Sequence, residues 1–287
     1  MSHKTIAITG ANGFIGSNLK NYFLSQGYYI KCFQRTKIKE QEKRVTFITY
    51  DLQLPLSPDD FYNVDILIHC AFATYSTKCK NADEININAA ERIIEMCRLN
   101  KIKIIFLSSF SAHSGAQSHY GLNKLLLEKM FDQKRDLILK LGLIVGNGGM
   151  FQKIKKLLDN KYIIPLIDNG NHPVQTIGMQ DLLQVFNVAV VKGITGKYNI
   201  AEETPRSLRS IFFIIRKKKS LNLFLPISSI LLLEILKFIE GMGIFLPFSR
   251  ESVLGLKSGK FYNTLEDLKT FGIIATPLEE IVANNDF

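Results

Sequence analysis

The stretch "ITGANGFIGSNL", residues 8–19, decides the fold. It follows "TIAIT" (5–9), an apolar run that reads as a strand, and it opens the helical pattern "IGSNLKNYFLSQG" (15–27). Gly10, Gly13 and Gly16 fall at G-x-x-G-x-x-G spacing. Glycine allows a tight turn from strand to helix, close backbone approach to a ligand, and close packing of helix on strand. A helix start also presents backbone N–H groups with no partner of their own, which suits phosphate oxygens. Gly10, Asn12, Gly13, Phe14, Ile15 and Gly16 therefore read as a cradle for a dinucleotide pyrophosphate. An ordinary glycine turn lacks the strand-before, helix-after order seen here.

Outward from this loop, short apolar runs alternate with helical patterns. "YYIKCF" (28–33), "RVTFITYDL" (44–52), "VDILIHCAF" (64–72), "KIIFLSSFS" (103–111) and "LILKLGLIVG" (137–146) read as strands. "NINAAERIIEMCRLN" (86–100) and "YGLNKLLLEKMF" (120–131) read as helices between them. Such alternation with short connections predicts an α/β fold, a Rossmann-type doubly wound parallel sheet. Residues 1–147 form the expected dinucleotide-binding domain. Residues 148–287 form a smaller, mostly helical substrate-binding region, with 174–201 returning to the main sheet through "GKYNIA" (196–201).

Composition narrows the class. A chain of 287 residues, 46% hydrophobic, can bury a core without disulfides. Cys32, Cys70, Cys79 and Cys97 show no C-x-x-C pairing, and no histidine stands at ligand spacing from a cysteine pair. Reduced thiols and no metal site are expected. The start "MSHKTIAITGANG" has no secretory pattern, so a cytoplasmic location is expected. The net charge of +10 is concentrated in "KIKEQEKR" (37–44), "KIKK" (153–156) and "RKKK" (216–219), with no nucleic-acid motif beside them. The apolar stretch 220–247 has a longest uncharged run of 14 residues, Ser220 to Leu233. A spanning helix needs about 20, so burial against the main domain is the favoured reading and weak association with a membrane surface the alternative.

Two further features bear on the cofactor. The end of the second strand, where a carboxylate would bind ribose hydroxyls and select NAD, carries Gln34 and then Arg35. That leaves NAD or NADP, with a lean to NADP. Asp51, followed by Leu52, is placed to meet the adenine edge or to cap the following turn.

In "SHYGLNK" (118–124), Tyr120 and Lys124 stand four apart, one turn of helix. Tyrosine is a poor acid or base near neutrality because its reference pKa is about 10. A cation one turn on favours the phenolate. Ser109, at the end of the fifth strand and eleven residues before Tyr120, is a third group able to reach the same substrate oxygen.

"TGANGFIG", "DILIHCAF", "NINAAERIIE", "FLSSFSA" and "YGLNK" occur in the order and spacing of the extended short-chain dehydrogenase/reductase family. Within it the chain resembles the NAD-dependent epimerase/dehydratase branch, above all nucleotide-sugar 4-epimerases and 4-ketoreductases of surface-polysaccharide synthesis. The resemblance implies catalytic roles for Ser109, Tyr120 and Lys124, with Lys124 also holding the nicotinamide ribose. It implies backbone positions lining the cofactor at Ala71 and Phe72, and an asparagine behind the site at Asn86. It also implies a homodimer and a nucleotide-sugar substrate, with no nucleic acid. The chain departs from the family at Lys140–Leu141, where Arg-Pro is usual, and at Pro173–Val174, where an arginine often meets substrate phosphates; Arg206 and Arg250 are the candidates to replace it. Phe110 and Ser111 stand where a dehydratase carries carboxylates. The expectation is therefore an NAD(P)-dependent 4-epimerase working through a keto intermediate, with an NADPH-dependent 4-ketoreductase of a nucleotide-linked or lipid-linked sugar second and a non-catalytic dinucleotide-binding protein third.

Overall fold

The computed structural model describes residues 4–36, 42–76, 79–216, 222–241 and 249–284. Within the stretches singled out above, 37–41, 217–219, 220–221 and 242–247 lie outside the described residues. The chain divides into two compact units. The first comprises Met1–Ser108, Asn123–Lys140 and Leu183–Tyr198; the second comprises Ser109–Leu122, Leu141–Leu182 and Asn199–Phe287.

From the N-terminus come β1 (Thr5–Thr9), α1 (Phe14–Ser25), β2 (Tyr29–Gln34), β3 (Val45–Thr49), β4 (Ile66–His69), α2 (Ala82–Leu99), β5 (Lys103–Ser109), α3 (His119–Glu128) and β6 (Leu137–Leu141). Then follow β7 (Leu143–Val145), α4 (Gly149–Asn160), β8 (Ile163–Ile167), β9 (Pro173–Val174), β10 (Thr176–Gly178), α5 (Met179–Lys192) and β11 (Gly196–Ile200). The chain ends with β12 (Arg206–Ser207), α6 (Leu208–Ile215), β13 (Leu223–Ile227), α7 (Ser229–Gly241), α8 (Arg250–Lys257), α9 (Leu265–Phe271) and α10 (Leu278–Asn284).

Seven strands form one sheet in the order β11-β6-β5-β4-β1-β2-β3. The pairs β1/β2, β2/β3, β1/β4 and β4/β5 are parallel. This is the predicted Rossmann-type doubly wound sheet, and its strand order reverses between β1 and β4, where ligands of such sheets bind. Buried on both faces, the central strands carry unbroken apolar runs rather than alternation, as parallel strands do. Ala7, Phe33, Leu67, Ile104 and Ile138 of the sheet pack with Ala90, Ile93 and Cys97 of α2 and with Leu127 and Phe131.

The second unit departs from the sequence reading at Gly142. The run 137–146 looks like one strand but splits into β6 and β7, and β7 leaves to pair with β10 in a separate two-stranded ribbon. A side chain at Gly142 would meet the Gln175 carbonyl oxygen and lie 2.9 Å from Ala201 Cβ. Only glycine lets the segments cross so closely. Gln175 is buried and ties this crossing down: its amide nitrogen donates to the carbonyls of Glu202, Glu203 and Tyr262, and its oxygen accepts from the Tyr262 N–H.

A second ribbon, β8/β13, was not legible in the sequence. Ile164 and Leu166 of β8 pack with Phe151, Leu158, Ile211 and Phe212 of α4 and α6, and Phe224 of β13 joins them. α7 does not bury as expected for the 220–247 segment. Leu232, Leu233 and Leu236 face Ile167, Ile227 and Val253, but Ile230 is 67% and Phe238 71% exposed. Among the described residues no helix is long and apolar enough to cross a membrane.

Candidate active site

In the first unit the glycine loop is built as its spacing implies. Gly10 has φ +66°, a left-handed conformation that side chains disfavour, and a Cβ there would lie 3.0 Å from the Ala71 backbone. A Cβ at Gly16 would strike the Gly10 carbonyl oxygen and come within 2.9 Å of Ala11 Cα. The loop is held by Gly10 N–H donating to Phe33 O (2.8 Å) and Gly13 N–H to Gly10 O (2.9 Å). Gly13 is the N-cap of α1 and brings no side-chain cap to its first turn. The first amides of α1, around Phe14, Ile15 and Gly16, thus suit an anionic group such as a pyrophosphate. Asn12 is exposed on the same loop.

Behind the loop lies a network that sequence reading missed. Thr9 Oγ1 accepts from the N–H groups of Cys70 and Ala71 (3.1 Å each) and lies 2.8 Å from His69 Nδ1. Thr9 therefore donates to an imidazole nitrogen that carries no proton, and burial pushes His69 down to about 3. It is neutral at physiological pH. Asn86 clamps the next turn: its oxygen accepts from Ala73 N–H (2.7 Å), and its nitrogen donates to Ala73 O (2.9 Å) and Asn123 Oδ1 (3.1 Å). The signal available for Thr9 was its place at the strand end, one residue before the first glycine.

Lys124 is buried, with Nζ donating to Leu107 O (2.6 Å) and lying 4.4 Å and 4.7 Å from the ring centres of Phe72 and Phe106. Burial pushes its ammonium down to about 7, opposed by Cys70 and the carboxylate of Glu128. Glu128 follows Lys124 by one further turn of α3. It accepts from Ser108 Oγ (2.5 Å) and lies 3.7 Å from Lys140 Nζ and 3.5 Å from Lys197 Nζ. Lys140, one of the departures from the resembled family, is thus a partner of this buried carboxylate.

Other expected cofactor residues stand apart from this cluster. Arg35 is exposed past the end of β2, while Gln34 is buried with its amide donating to Thr36 O (3.0 Å). Of the two readings for Asp51, the turn cap is what the carboxylate does here, accepting from Gln53 N–H (3.0 Å). Leu52 lines a polar cavity of about 210 Å³ with Glu84 and Arg92, and its carbonyl accepts from the Arg92 guanidinium.

In the second unit Ser109, the last residue of β5, shares a hydrogen bond with the Tyr120 hydroxyl. Burial raises the Tyr120 pKa above its ordinary value, and this hydrogen bond opposes the rise. Gly121 makes the pairing sterically feasible: a Cβ there would strike the Ser111 carbonyl oxygen and lie 3.0 Å from Ala116 Cβ. The start of α3 is fixed by Ser118 Oγ accepting from Gly121 N–H (3.1 Å), and Tyr120 N–H points to Glu251 Oε2 at 3.4 Å. Arg206, considered above as a phosphate clamp, is committed instead to Glu202 and to Glu279 at 2.6 Å.

Comparison with known proteins agrees with this architecture. The chain is 25% identical over 203 residues to the mitochondrial NADH dehydrogenase [ubiquinone] 1 alpha subcomplex subunit 9 of Dictyostelium discoideum, covering 66% of this chain and 56% of that protein. The chain thus spans little more than half the length of that relative. It is 21% identical over 262 residues to the epimerase family protein YfhF of Bacillus subtilis, covering 79% of this chain and 84% of the relative. Among solved structures, MoeE5 in complex with UDP-glucuronic acid and NAD superposes with a TM-score of 0.73 at 17% identity, over 97% of this chain and 96% of the other. Residues 6–135 match the model of the NAD dependent epimerase/dehydratase family.

Proposed function

We propose that the protein is an NAD(P)-dependent epimerase acting at C4 of a nucleotide-activated sugar, through a keto intermediate, in surface-polysaccharide synthesis. The observation that carries the reading is the Ser109–Tyr120 hydrogen bond at the carboxyl end of β5, with Lys124 one turn further along α3. A nicotinamide dinucleotide, when bound, supplies the hydride acceptor and returns the hydride. The loop Gly10–Gly16, the backbone at Ala71 and Phe72, and Asp51–Leu52 would hold it. Tyr120 takes the proton from the sugar hydroxyl as the C4 carbonyl forms, and gives it back when the carbonyl is reduced. Ser109 polarises the same oxygen. Lys124 stabilises the tyrosinate in its charged form and binds the nicotinamide ribose. MoeE5, with UDP-glucuronic acid and NAD bound, supports a nucleotide-sugar substrate. A homodimer belongs to the same reading.

A second reading, an NADPH-dependent 4-ketoreductase, is favoured by Gln34 and Arg35, which put an amide and a cation where an acid would select NAD. One experiment separates the readings: identify the dinucleotide retained by the purified protein, then assay UDP- and dTDP-sugars. Formation of a 4-epimer without added dinucleotide supports the first, and NADPH-dependent reduction of a 4-keto sugar the second. A bound dinucleotide with turnover of neither would contradict both and fit a non-catalytic binding protein. Tyr120→Phe should lower turnover about 10²- to 10⁴-fold while the dinucleotide stays bound. Undiminished turnover would remove Tyr120 from the mechanism.

A further inference from the structure

Glu128 sits where a carboxylate is out of place. It is the last residue of α3, the end at which the helix dipole disfavours an anion, and it is buried. Burying a charge is costly unless partners replace the lost water. Those partners come from three neighbouring strands of the main sheet, β11, β6 and β5. Ser108 Oγ of β5 donates to the carboxylate at 2.5 Å, Lys140 Nζ of β6 stands 3.7 Å away, and Lys197 Nζ of β11 stands 3.5 Å away. Apolar side chains would join α3 to these strands at no greater cost, so the charge itself calls for a use.

That use lies one turn back along α3. Lys124 and Glu128 are four apart and share a helix face. Their partners on β5 are successive residues: Lys124 Nζ donates to Leu107 O (2.6 Å), and Glu128 accepts from Ser108. Two rungs therefore fasten α3 to the strand that ends in Ser109. Around Lys124 stand the rings of Phe72 and Phe106, together with His69, Cys70 and Glu128. His69 is neutral. Burial pushes the Lys124 ammonium down, opposed by Cys70 and Glu128. Burial also pushes Cys70 up to about 12, so it is a neutral thiol where Lys124 titrates. Of these groups, that leaves Glu128 as the anion. Lys140 and Lys197 draw on the same carboxylate and so moderate what reaches Lys124. We propose that Glu128 is a positioning residue for the reaction assigned above to Tyr120 and Lys124: its carboxylate balances the Lys124 ammonium and fastens α3 to β5, so that the ammonium stays seated on the Leu107 carbonyl. The inference rests on the role given there to Lys124.

Two measurements on the full chain test this. The first needs no substrate: each variant is melted with Lys124 and with Lys124→Met across about pH 5 to 10. The difference shows the pH at which Lys124 begins to shed its proton in the folded chain. Glu128→Gln keeps the shape and an acceptor for Ser108 but not the charge, and should move that onset to lower pH by about one pH unit. Lys140→Gln removes a cation and should move it to higher pH, while Glu128→Asp keeps the charge and should leave it near the original. A carboxylate with only a packing role would move neither. An onset unmoved by Glu128→Gln, or moved the same way by both glutamine variants, overturns the proposal. Where Glu128→Gln does not fold, the direction of the Lys140→Gln shift decides alone. The second measurement is kcat/KM against pH on the sugar turned over. Its alkaline limb should follow the onset in each variant, with turnover at about pH 8 about tenfold lower in Glu128→Gln. A limb that stays put while the onset moves also overturns the proposal. An onset that moves as expected in a chain that turns over no sugar would instead sink the epimerase and reductase readings and leave the hold of Glu128 on Lys124 standing.

Discussion

Ile93 and Ile230 are the same residue on helices of the two units, in opposite circumstances. Ile93 on α2 is fully buried beside Ala90, Cys97 and the strands of the main sheet. Ile230 on α7 is 67% exposed, one of four large apolar side chains on that side of its helix. Around Lys124 and Glu128, each charged group has named partners. The first unit is a filled framework in which the helix faces are buried against the sheet. The second buries one side of α7 and leaves Ile230 and Phe238 on the other side exposed.

This contrast can be broken most sharply by equal truncations. Ile93→Ala should destabilise the protein by about 2–5 kcal/mol, read by chemical denaturation, because it leaves a cavity among close-packed neighbours. Gly16→Val should cost about 1–3 kcal/mol and abolish dinucleotide binding, since its side chain meets the Gly10 carbonyl oxygen and Ala11. Fluorescence titration with NAD and NADPH reads the second effect.

Lys124→Met sharpens the comparison differently, because it should stabilise the protein while lowering the turnover proposed above. The folded chain holds Lys124 at about 7, below its unfolded value of about 10.4. Between those values the unfolded state binds more protons, so stability rises with pH across the window and is lost as pH falls through the folded value. The variant should therefore melt several degrees higher at about pH 6, with a gain that shrinks towards about pH 9. A gain independent of pH would show that Lys124 is not a buried cation. The smallest effect belongs to Ile230→Ala, expected to change stability by no more than about 0.5 kcal/mol. A loss as large as that of Ile93→Ala would mean that the outer side of α7 is covered in solution.

Much of the framework was legible before any coordinates. Three glycines in a strand–turn–helix context predict the loop, and the structure shows why Gly10 and Gly16 there disfavour a side chain. The pattern Tyr120–Lys124 predicts a shared helix, and Ser109 lies within hydrogen-bonding reach of Tyr120. What was not legible has long-range partners. Gly142 looks like a residue inside a strand until Gln175 and Ala201 are brought against it. Arg206 looks like a spare cation until Glu279 arrives from 73 residues away.

The sequence by itself determined the order of strands and helices in the first unit, the glycine loop and the spacing of Tyr120 and Lys124, because those depend on local backbone geometry and hydrophobic period. Tertiary structure alone decided that Lys124 sits between two aromatic rings, that Glu128 gathers two lysines and a serine, and that α7 keeps an apolar side in solvent. Burial and electrostatics depend on which distant atoms displace water, and no local pattern specifies them.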